Sequence, residues 1–368
     1  MLKRTCLVLG CLLIFAAPAS SGDLTSSLKK GTVDLKSAGP LAFGPDGVLF
    51  VGDAQAAAVF AIATGDTSGS PEAVELSVKG IDQQVAAALG ITPKDLLIND
   101  LAVNPASGQA YLSVSRGTGP DATVVLLRVD GQGEISEVSL QNVKHAKAEL
   151  PNAPNENAKD GRGRGLRAQA ITDITYLDGK VLVAGLSTEE FASTLRSIPF
   201  PFDSINRGTG VEVFHGAHGK FETHAPVRTF ASYEINEEPY LLAAYTCTPL
   251  VRFPLSDLAS GERVRGTTVA ELGNRNRPLD MFVYEKGDQE FILMANNRRG
   301  MMKISTEGID RKEGITEHVG GGGTAGQSYD TIASLSGVVQ LDRLNSKSAV
   351  VIQRDEDGAL NLRTVALP

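Results

Sequence analysis

The feature that most constrains the fold is a strand–turn–strand phrase that recurs along the chain. Its first copy, GPLAFGPDGVLFVGD at residues 39–53, places a Pro-Asp-Gly turn between two short apolar runs. Comparable units follow at 97–131, 170–224, 229–255, 277–305 and 337–367. Six such units, roughly 50–70 residues apart, predict an all-β fold: a six-bladed β-propeller of four-stranded antiparallel blades. A β-sandwich or a pair of β domains is the alternative that this rhythm leaves open.

Fourth strands complete the predicted blades. They are expected at 72–78, 135–143, 265–272 and 314–320, whereas the last unit ends after three strands. The segment GTVDLKS at 31–37 is a spare strand near the N-terminus. We therefore expect this N-terminal strand to complete the sixth blade and close the ring, because closure removes an exposed sheet edge.

The first residues have the order of a secretory signal. Lys3 and Arg4 precede the apolar run CLVLGCLLIFAAPA, and small residues follow it. We expect a signal peptide over 1–21, with cleavage between Ala19 and Gly22, and a single propeller domain over 22–368. The apolar run is too short to span a membrane comfortably. The mature protein is thus predicted to be exported, to the periplasm or the extracellular space.

Charge and cysteine content restrict the function further. The formal net charge of −8 argues against a nucleic-acid binder, which usually carries a basic stripe. Cys6 and Cys11 lie in the predicted signal, so the mature chain retains only Cys247 and no internal disulfide is expected.

The first unit resembles a known family. AGPLAFGPDGVLFVGD is similar to the first-blade phrase of the gluconolactonase and senescence-marker-protein family, and to NHL-type six-bladed propellers. The resemblance implies a six-bladed propeller and, in the lactonase family, a calcium-dependent site whose ligands include the Glu before Gly-Pro. Ala38 stands at that position here, and Ala42 replaces an aromatic residue two positions after the Pro. The phrase therefore lacks the carboxylate that would make it a lactonase signature.

The long connecting segments are predicted to gather at one end of the propeller. Connections from a fourth strand to the next first strand share an end with those between second and third strands, and we call this end the loop-rich face. Its predicted insertions are at 80–99, 144–169, 187–208 and 320–336. Tight turns such as GPDG and GAHG are assigned to the opposite end, the hairpin face. Because binding residues concentrate on loops held by a rigid scaffold, we expect the loop-rich face to bind the ligand.

Three aspartates are candidate site residues near the channel. Asp100, Asp173 and Asp280 begin the first strands of their blades, so their carboxylates would converge on the channel mouth. Calcium takes several oxygen ligands of this kind and is the one cofactor that the sequence suggests. Asn99, Asn296 and Asn297 would add further ligands. The alternative is that each aspartate caps a loop by binding nearby backbone amides.

The loops between second and third strands supply the other candidates. Arg298 and Arg116, with Arg299 and Arg354, would form an arginine cluster suited to a carboxylate or phosphate. Ordinary solvated charge explains the same residues. Tyr245 and Asp53 complete the candidate ligand-binding set, and for Asp53 a loop-capping role ranks ahead of a site role.

Three other features have both a functional and a structural explanation. His215, His218 and His224 have a spacing compatible with a transition metal, but GAHG is predicted to be a turn on the hairpin face. Cys247 is either a nucleophile or an inert thiol. The apolar loop RSIPFPFD at 196–203 is either a partner anchor or a cap on the core.

Together these observations favour a monomeric binding module that takes a protein or a small anionic ligand on its loop-rich face. The alternative is a metal-dependent hydrolase or lactonase with its site at the channel mouth.

Overall fold

Six antiparallel sheets form the blades of a six-bladed β-propeller. The computed structural model describes residues 23–368, except 118, 120, 121, 248 and 260. The predicted signal peptide lies outside the described residues. No helix in the described part of the chain is long and apolar enough to cross a lipid bilayer.

Blades are numbered here by the position of their first strand in the chain. The strands of blades 1 to 3, from the channel outward, are Leu41–Phe43, Val48–Asp53, Ala58–Ala63 and Val143–Glu149; Leu96–Val103, Ala110–Arg116, Thr123–Val129 and Ile135–Glu137; Asp173–Leu177, Lys180–Leu186, Ser193–Pro199 and Thr209–His215. Lys29–Gly31 adds an outer strand to blade 1. Lys220–Glu222 pairs with the end of the last strand of blade 3, and Arg263–Arg265 pairs with that strand in parallel.

Blades 4 to 6 follow the same plan. Their strands are Val227–Ile235, Glu238–Tyr245, Pro249–Pro254 and Thr267–Leu272; Pro278–Lys286, Gln289–Asn296, Gly300–Ser305 and Tyr329–Thr331; Val338–Arg343, Ser348–Arg354, Leu360–Ala366 and Ser77–Val78. Thr324–Gly326 adds an outer strand to blade 4. The α-helix Ile81–Ala88 lies between the last strand of blade 6 and the first strand of blade 2, within the predicted insertion at 80–99.

The blades do not follow one another around the ring in chain order. Six hydrophobic clusters fill the junctions between neighbouring blades, and they join blades 1–2, 2–6, 6–5, 5–4, 4–3 and 3–1. Blade 1 therefore lies between blades 2 and 3. Its first three strands precede blade 2 in the chain and its fourth strand, Val143–Glu149, follows blade 2. The chain thus leaves blade 1, builds blade 2, and returns to complete blade 1.

Ring closure by a strand from the N-terminal part of the chain is confirmed, but the strand is not the expected one. Ser77–Val78 pairs with Leu360–Ala366 and completes blade 6, so the prediction that 72–78 belongs to blade 1 was wrong. The prediction that 31–37 closes the ring was also wrong, because Lys29–Gly31 pairs with Val143–Glu149 instead. Both segments read as plausible edge strands, and only the packing of whole blades selects their partners.

One strand of blade 3 was missed in the sequence. Because of this omission, the turn that follows the blade was assigned to the wrong end of the propeller. The predicted insertion at 187–208 contains the strand Ser193–Pro199. Each strand reverses direction, so GAHG follows the fourth strand and lies at the loop-rich end. The predicted insertion at 320–336 likewise contains outer strands of blades 4 and 5, and 314–320 does not form a strand.

The core lies between blades rather than on one side of each sheet. Val48–Asp53, for example, is buried at every position. A blade packs against a neighbour on both faces, so its middle strands have continuous apolar runs instead of alternation. The tight turn before this strand places Asp46 and Gly47 at positive φ, and a Cβ at Gly47 would lie 2.4 Å from the carbonyl oxygen of Asp66.

Candidate functional site: the central channel

The three predicted aspartates lie on alternate blades around the channel. Asp100 is on blade 2, Asp280 on blade 5 and Asp173 on blade 3, and each reaches an adjacent blade. The acceptor oxygens receive the backbone N–H of Leu41 at 2.7 Å, of Leu341 at 2.8 Å and of Phe230 at 2.8 Å, respectively. The three hydrogen bonds run in the same rotational sense around the ring. The capping role is therefore present, and the amide belongs to the neighbouring blade rather than to the aspartate's own loop.

Asp342 adds a fourth carboxylate that the sequence reading missed. It accepts the N–H of Val103 at 2.6 Å and so connects blade 6 to blade 2 in the same rotational sense. The equivalent of Asp280 in blade 6 is Gln340, because a bulge precedes both residues in their strands. Asp342 lies two residues further along, on the same face of the strand. Side chains two residues apart in a strand point to the same face, and this alternation is the sequence signal from which Asp342 could have been predicted.

Burial raises the pKa of all four carboxyl groups. Desolvation is the largest cause at each, and it raises the pKa of Asp173 to about 7 and that of Asp342 to about 6. The pKa values of Asp100 and Asp280 lie well above their usual range: desolvation is the larger cause, and repulsion by Asp280 and by Asp173, respectively, adds to it. The channel therefore holds carboxyl groups that gain or lose a proton close to neutral pH.

A cavity of about 1020 Å³ occupies the channel between this ring and the hairpin face. Its wall consists of first-strand residues from all six blades, from Asp100 and Asp173 at one end to hairpin residues such as Asp178 and Glu234 at the other. Its lining includes Pro71 and Glu72, and none of the described residues of the loops between second and third strands. The aspartates thus lie at the inner end of a cavity whose wall extends to the hairpins.

The cavity wall is acidic and partly aromatic. Among the described residues, nine lining residues are Asp or Glu, and the single lining Lys or Arg is Arg343. Phe43, Tyr176, Tyr233 and Phe282 line the cavity and are partly exposed. An acidic wall with aromatic rings is suited to a positively charged ligand and repels an anion.

The aspartates do not form a compact ion cage. Among the described residues, one group of three His, Cys, Asp or Glu side chains has ligand atoms that all lie within 4.8 Å of one another, and Asp100, Asp173 and Asp280 are not its members. Calcium–oxygen distances are about 2.3–2.6 Å, so a shared calcium ion would require these carboxylates to move closer. Calcium binding there stays a prediction.

The asparagines have structural partners. Asn99 lies at a bulge and donates to the hydroxyl of Ser115 at 2.9 Å. Asn296 is buried and its side-chain oxygen accepts the N–H groups of Arg298 and Arg299, which shapes the turn after its strand. Asn297 is exposed, and its oxygen accepts the N–H of Arg277 at 2.7 Å. None of the three lines the channel cavity.

Asp53 and Tyr245 are buried. Asp53 is fully buried, and its carboxylate accepts the N–H groups of Lys36, Ser37 and Ala56 and the Ser37 hydroxyl. The loop-capping interpretation is the one that the structure supports. Tyr245 is 1% exposed within the cluster between blades 3 and 4. A ligand contact by either residue stays a prediction.

The predicted arginine cluster is spread over several blades. Arg116 is on blade 2 and Arg298 on blade 5, with blade 6 between them, and both side chains are exposed. A closer group surrounds Arg228 on blade 4, whose pKa burial and the charges of Arg277 and Arg164 lower to about 10. Arg228 donates to Thr246 and Gln169. This group is the stronger basic feature of the loop-rich face, and its residues were missed because they lie in different segments.

The remaining candidates resolve as follows. Phe200 is 5% exposed and packs edge-on against Phe50 with ring centroids 5.0 Å apart, so the apolar loop caps the junction between blades 1 and 3. Cys247 is a partly exposed free thiol with a φ of 63°. Ala38 is buried in the junction between blades 1 and 2.

The circular order of blades and the channel define a six-bladed β-propeller. No family model and no curated protein sequence matches the chain. Solved propeller structures do, at low identity. A PQQ-bound aldose sugar dehydrogenase from Streptomyces coelicolor is 13% identical, with 92% of this chain and 96% of that chain covered and a TM-score of 0.36. A streptogramin B lyase is 9% identical (92% and 97% covered, TM-score 0.32). A luciferin-regenerating enzyme is 9% identical (92% and 94% covered, TM-score 0.30). These similarities concern the fold alone.

Proposed function

We propose that this propeller is a binding module that takes a small organic cation, such as a protonated amine, in its central channel. The observation that carries the proposal is the composition of the cavity wall, whose described residues include nine acidic side chains and one basic side chain. Such a wall concentrates cations and excludes anions. Export of the mature protein is part of the proposal and is supported by the order of residues at the N-terminus.

The size of the cavity favours an organic ligand over a bare ion. A volume of about 1020 Å³ is at the upper end of the range in which proteins hold small molecules. The partly exposed rings of Phe43, Tyr176, Tyr233 and Phe282 supply apolar wall that a metal ion would not use. A cation that carries methylene groups would contact both the rings and the carboxylates.

The two ends of the propeller also differ in the sign of their charge. The small anionic ligand predicted from the sequence would not enter the acidic channel, but the group formed by Arg228, Arg277 and Arg164 suits it. Binding of an anion or a protein at the loop-rich face therefore stays a separate proposal.

Calorimetric titration with a short diamine, a triamine and a quaternary ammonium ion would test the proposal, with acetate, phosphate and calcium as comparison ligands. We expect an amine to bind and acetate and phosphate not to compete. Glu234→Gln removes a lining charge and should weaken binding about fivefold, which corresponds to ~1 kcal/mol for one charge at close range. Glu237→Gln, in the same hairpin but outside the cavity lining, is the matched control. Equal affinity of both variants, or no binding of any amine at millimolar concentration, would reject the proposal.

The raised pKa values of the channel aspartates favour a second candidate function. This is a hydrolase that uses the channel carboxyl groups as acid and base. Asp173 and Asp342, with pKa values of about 7 and about 6, would each exchange protons near neutral pH. Carboxyl groups with this property in a cavity are typical of acid–base sites. The inter-blade hydrogen bonds of both residues explain their burial without catalysis, so this candidate ranks second.

Turnover of a panel of chromogenic esters and lactones would identify such an enzyme. A bell-shaped dependence of the rate on pH that flattens in Asp173→Asn would support catalysis by the Asp173 carboxyl group. Hydrolysis that Asp173→Asn leaves unchanged would rule it out as the acid or base.

A further inference from the structure

A cluster of metal-ligating side chains lies apart from the channel, at the outer rim of the loop-rich end. The last strand of blade 3 ends at His215, the turn Gly216–His218 follows, and Lys220–Glu222 returns alongside. Glu271 lies beside this turn and accepts the N–H of Gly216. It belongs to the fourth strand of blade 4, Thr267–Leu272, and pairs there with Pro249 of the third strand. The hairpin therefore connects blade 3 to the adjacent edge of blade 4.

We propose that His215, His218 and Glu222 bind one transition-metal ion of the zinc type. Their ligand atoms all lie within 4.8 Å of one another. Two imidazole nitrogens and a carboxylate oxygen are ligands that zinc prefers. The sequence pattern included His215 and His218 but took His224 as the third residue, whereas the third group of the cluster is Glu222.

The spacing of the donor atoms is close to that of a metal site. Nδ1 of His215 lies 3.0 Å from one oxygen of Glu222, and Nδ1 of His218 lies 2.8 Å from the other. Ligands of a tetrahedral zinc ion with bonds of about 2.0–2.1 Å are ~3.3 Å apart. The two nitrogen–oxygen distances, each to a different oxygen of Glu222, are within about half an ångström of that spacing. An ion between the three side chains would replace these two hydrogen bonds with three coordinate bonds.

Two buried polar atoms without partners provide an independent indication. Nε2 of His215 and Oε2 of Glu271 are both buried, and neither has a hydrogen-bond partner within the described part of the chain, although the residues are 3% and 0% exposed. Glu271 is near enough for the charge of His215 to affect its pKa, which burial raises above the usual range. A carboxylate that accepts a hydrogen bond from the outer ring nitrogen of a histidine ligand commonly fixes the proton there and leaves the other nitrogen free for the metal. Glu271 would take that role for His215 if its free oxygen moved within hydrogen-bond distance of Nε2 when the ion binds.

The site is open to solvent on one side. The side chain of His218 is 48% exposed, and the competing cation Lys220 is 67% exposed and 3.9 Å from Glu222. An exposed amine at that distance contributes little and can move away. Three protein ligands leave a fourth position that water would fill, so an ion can enter and leave without unfolding of the hairpin.

Binding of Zn²⁺ to untagged protein, measured by competition with a chromophoric chelator, tests the proposal. We expect one ion per chain, and visible absorption of a Co²⁺ form typical of a four-coordinate site. His218→Ala should lower the affinity at least tenfold and should fold, because its side chain is half exposed. His224→Ala, on the same segment but outside the cluster, should bind like the wild type. Equal binding by His218→Ala and the wild type, or more than a tenfold loss in His224→Ala, would overturn the proposal.

The amine titration of the channel separates this inference from the proposed function. The zinc site and the channel share no residue. His218→Ala should therefore bind amines like the wild type even though it loses the metal.

Discussion

The carboxylate of Asp100 in blade 2 accepts the backbone N–H of Leu41 in blade 1 at 2.7 Å. This bond joins the two blades that the chain builds in an interrupted order. Asp280 and Asp173 make the same bond from blades 5 and 3. One set of side chains thus holds neighbouring first strands together and places carboxyl groups at the inner end of the channel. Both roles follow because every second blade around the ring has such an aspartate in its first strand.

Stability should fall as pH rises between about 4.5 and 7.5. The pKa of Asp173 is raised to about 7, against about 3.9 in an unfolded chain, so the folded state binds the proton more tightly. That stabilisation is complete below the unfolded pKa and is lost as pH rises through the folded value. Urea unfolding of Asp173→Asn should show a pH slope smaller by roughly 1 kcal/mol per unit. Asp178→Asn, at the exposed hairpin, is the control. An unchanged slope in Asp173→Asn would show that this carboxyl is not the source.

Amine affinity should rise with pH over the same range. A cation stabilises the ionised carboxylates, so binding must release protons from groups with raised pKa values, among them Asp342 at about 6. We expect the affinity to increase between about pH 5.5 and 7.5 by about tenfold for each proton released per pH unit. Calorimetry in buffers of different ionisation enthalpy measures the proton count directly. A buffer-independent enthalpy at pH 6.5 would contradict the linkage.

Removal of the Asp53 carboxylate should destabilise the fold strongly. Asp53→Ala leaves the amides of Lys36, Ser37 and Ala56 without their acceptor at a fully buried position. Donors left without partners beside a fully buried position cost up to about 1–3 kcal/mol each, and water and loop relaxation recover part of this, so we expect a loss of about 2–4 kcal/mol in urea unfolding. Asp34→Ala, whose side chain is 80% exposed, should change stability by less than about 0.5 kcal/mol. Similar losses in the two variants would refute the capping role.

The ring-closing segment should be as sensitive as any core strand. Leu76 is 2% exposed in the junction between blades 2 and 6, beside the closing strand Ser77–Val78. Leu76→Ala should cost about 3 kcal/mol, the usual result of a cavity at a fully buried leucine. Leu97→Ala, at a leucine that is 59% exposed, should be nearly neutral. A neutral result at Leu76 would mean that this segment does not close the ring in solution.

The buried Arg196 should be replaceable. It is 1% exposed, its Nη2 donates to Asn152 at 3.1 Å, and its Nε and Nη1 have no partner among the residues that the structure describes. Burial lowers its pKa to about 10. A buried cation with incomplete partners costs more desolvation than it gains, so Arg196→Met should leave stability unchanged or raise it by about 1–2 kcal/mol. A loss above 2 kcal/mol in thermal or urea unfolding would show that this guanidinium has a structural or ligand-binding role.

Local sequence patterns were sufficient to predict the propeller fold and the number of blades, because strands and turns depend on residues close together in the chain. The phrase at 39–53 contains its own turn, and Asp100, Asp173 and Asp280 were recognised from their shared position in three units. The same reasoning missed Ser193–Pro199, since Arg196 and Pro199 make the segment look like a loop. That one omission placed His215 at the wrong end of the propeller.

The sequence by itself thus determined the class of fold, the number of blades and the presence of carboxylates at the channel. Only the tertiary structure decided that blade 1 lies between blades 2 and 3, that Ser77–Val78 closes the ring, and that Glu222 rather than His224 joins the two histidines. Hydrogen-bonding edges of strands are chemically alike, so their partners are selected by the packing of complete blades. That selection depends on contacts between residues hundreds of positions apart, such as Leu76 and Thr364, which no local pattern records.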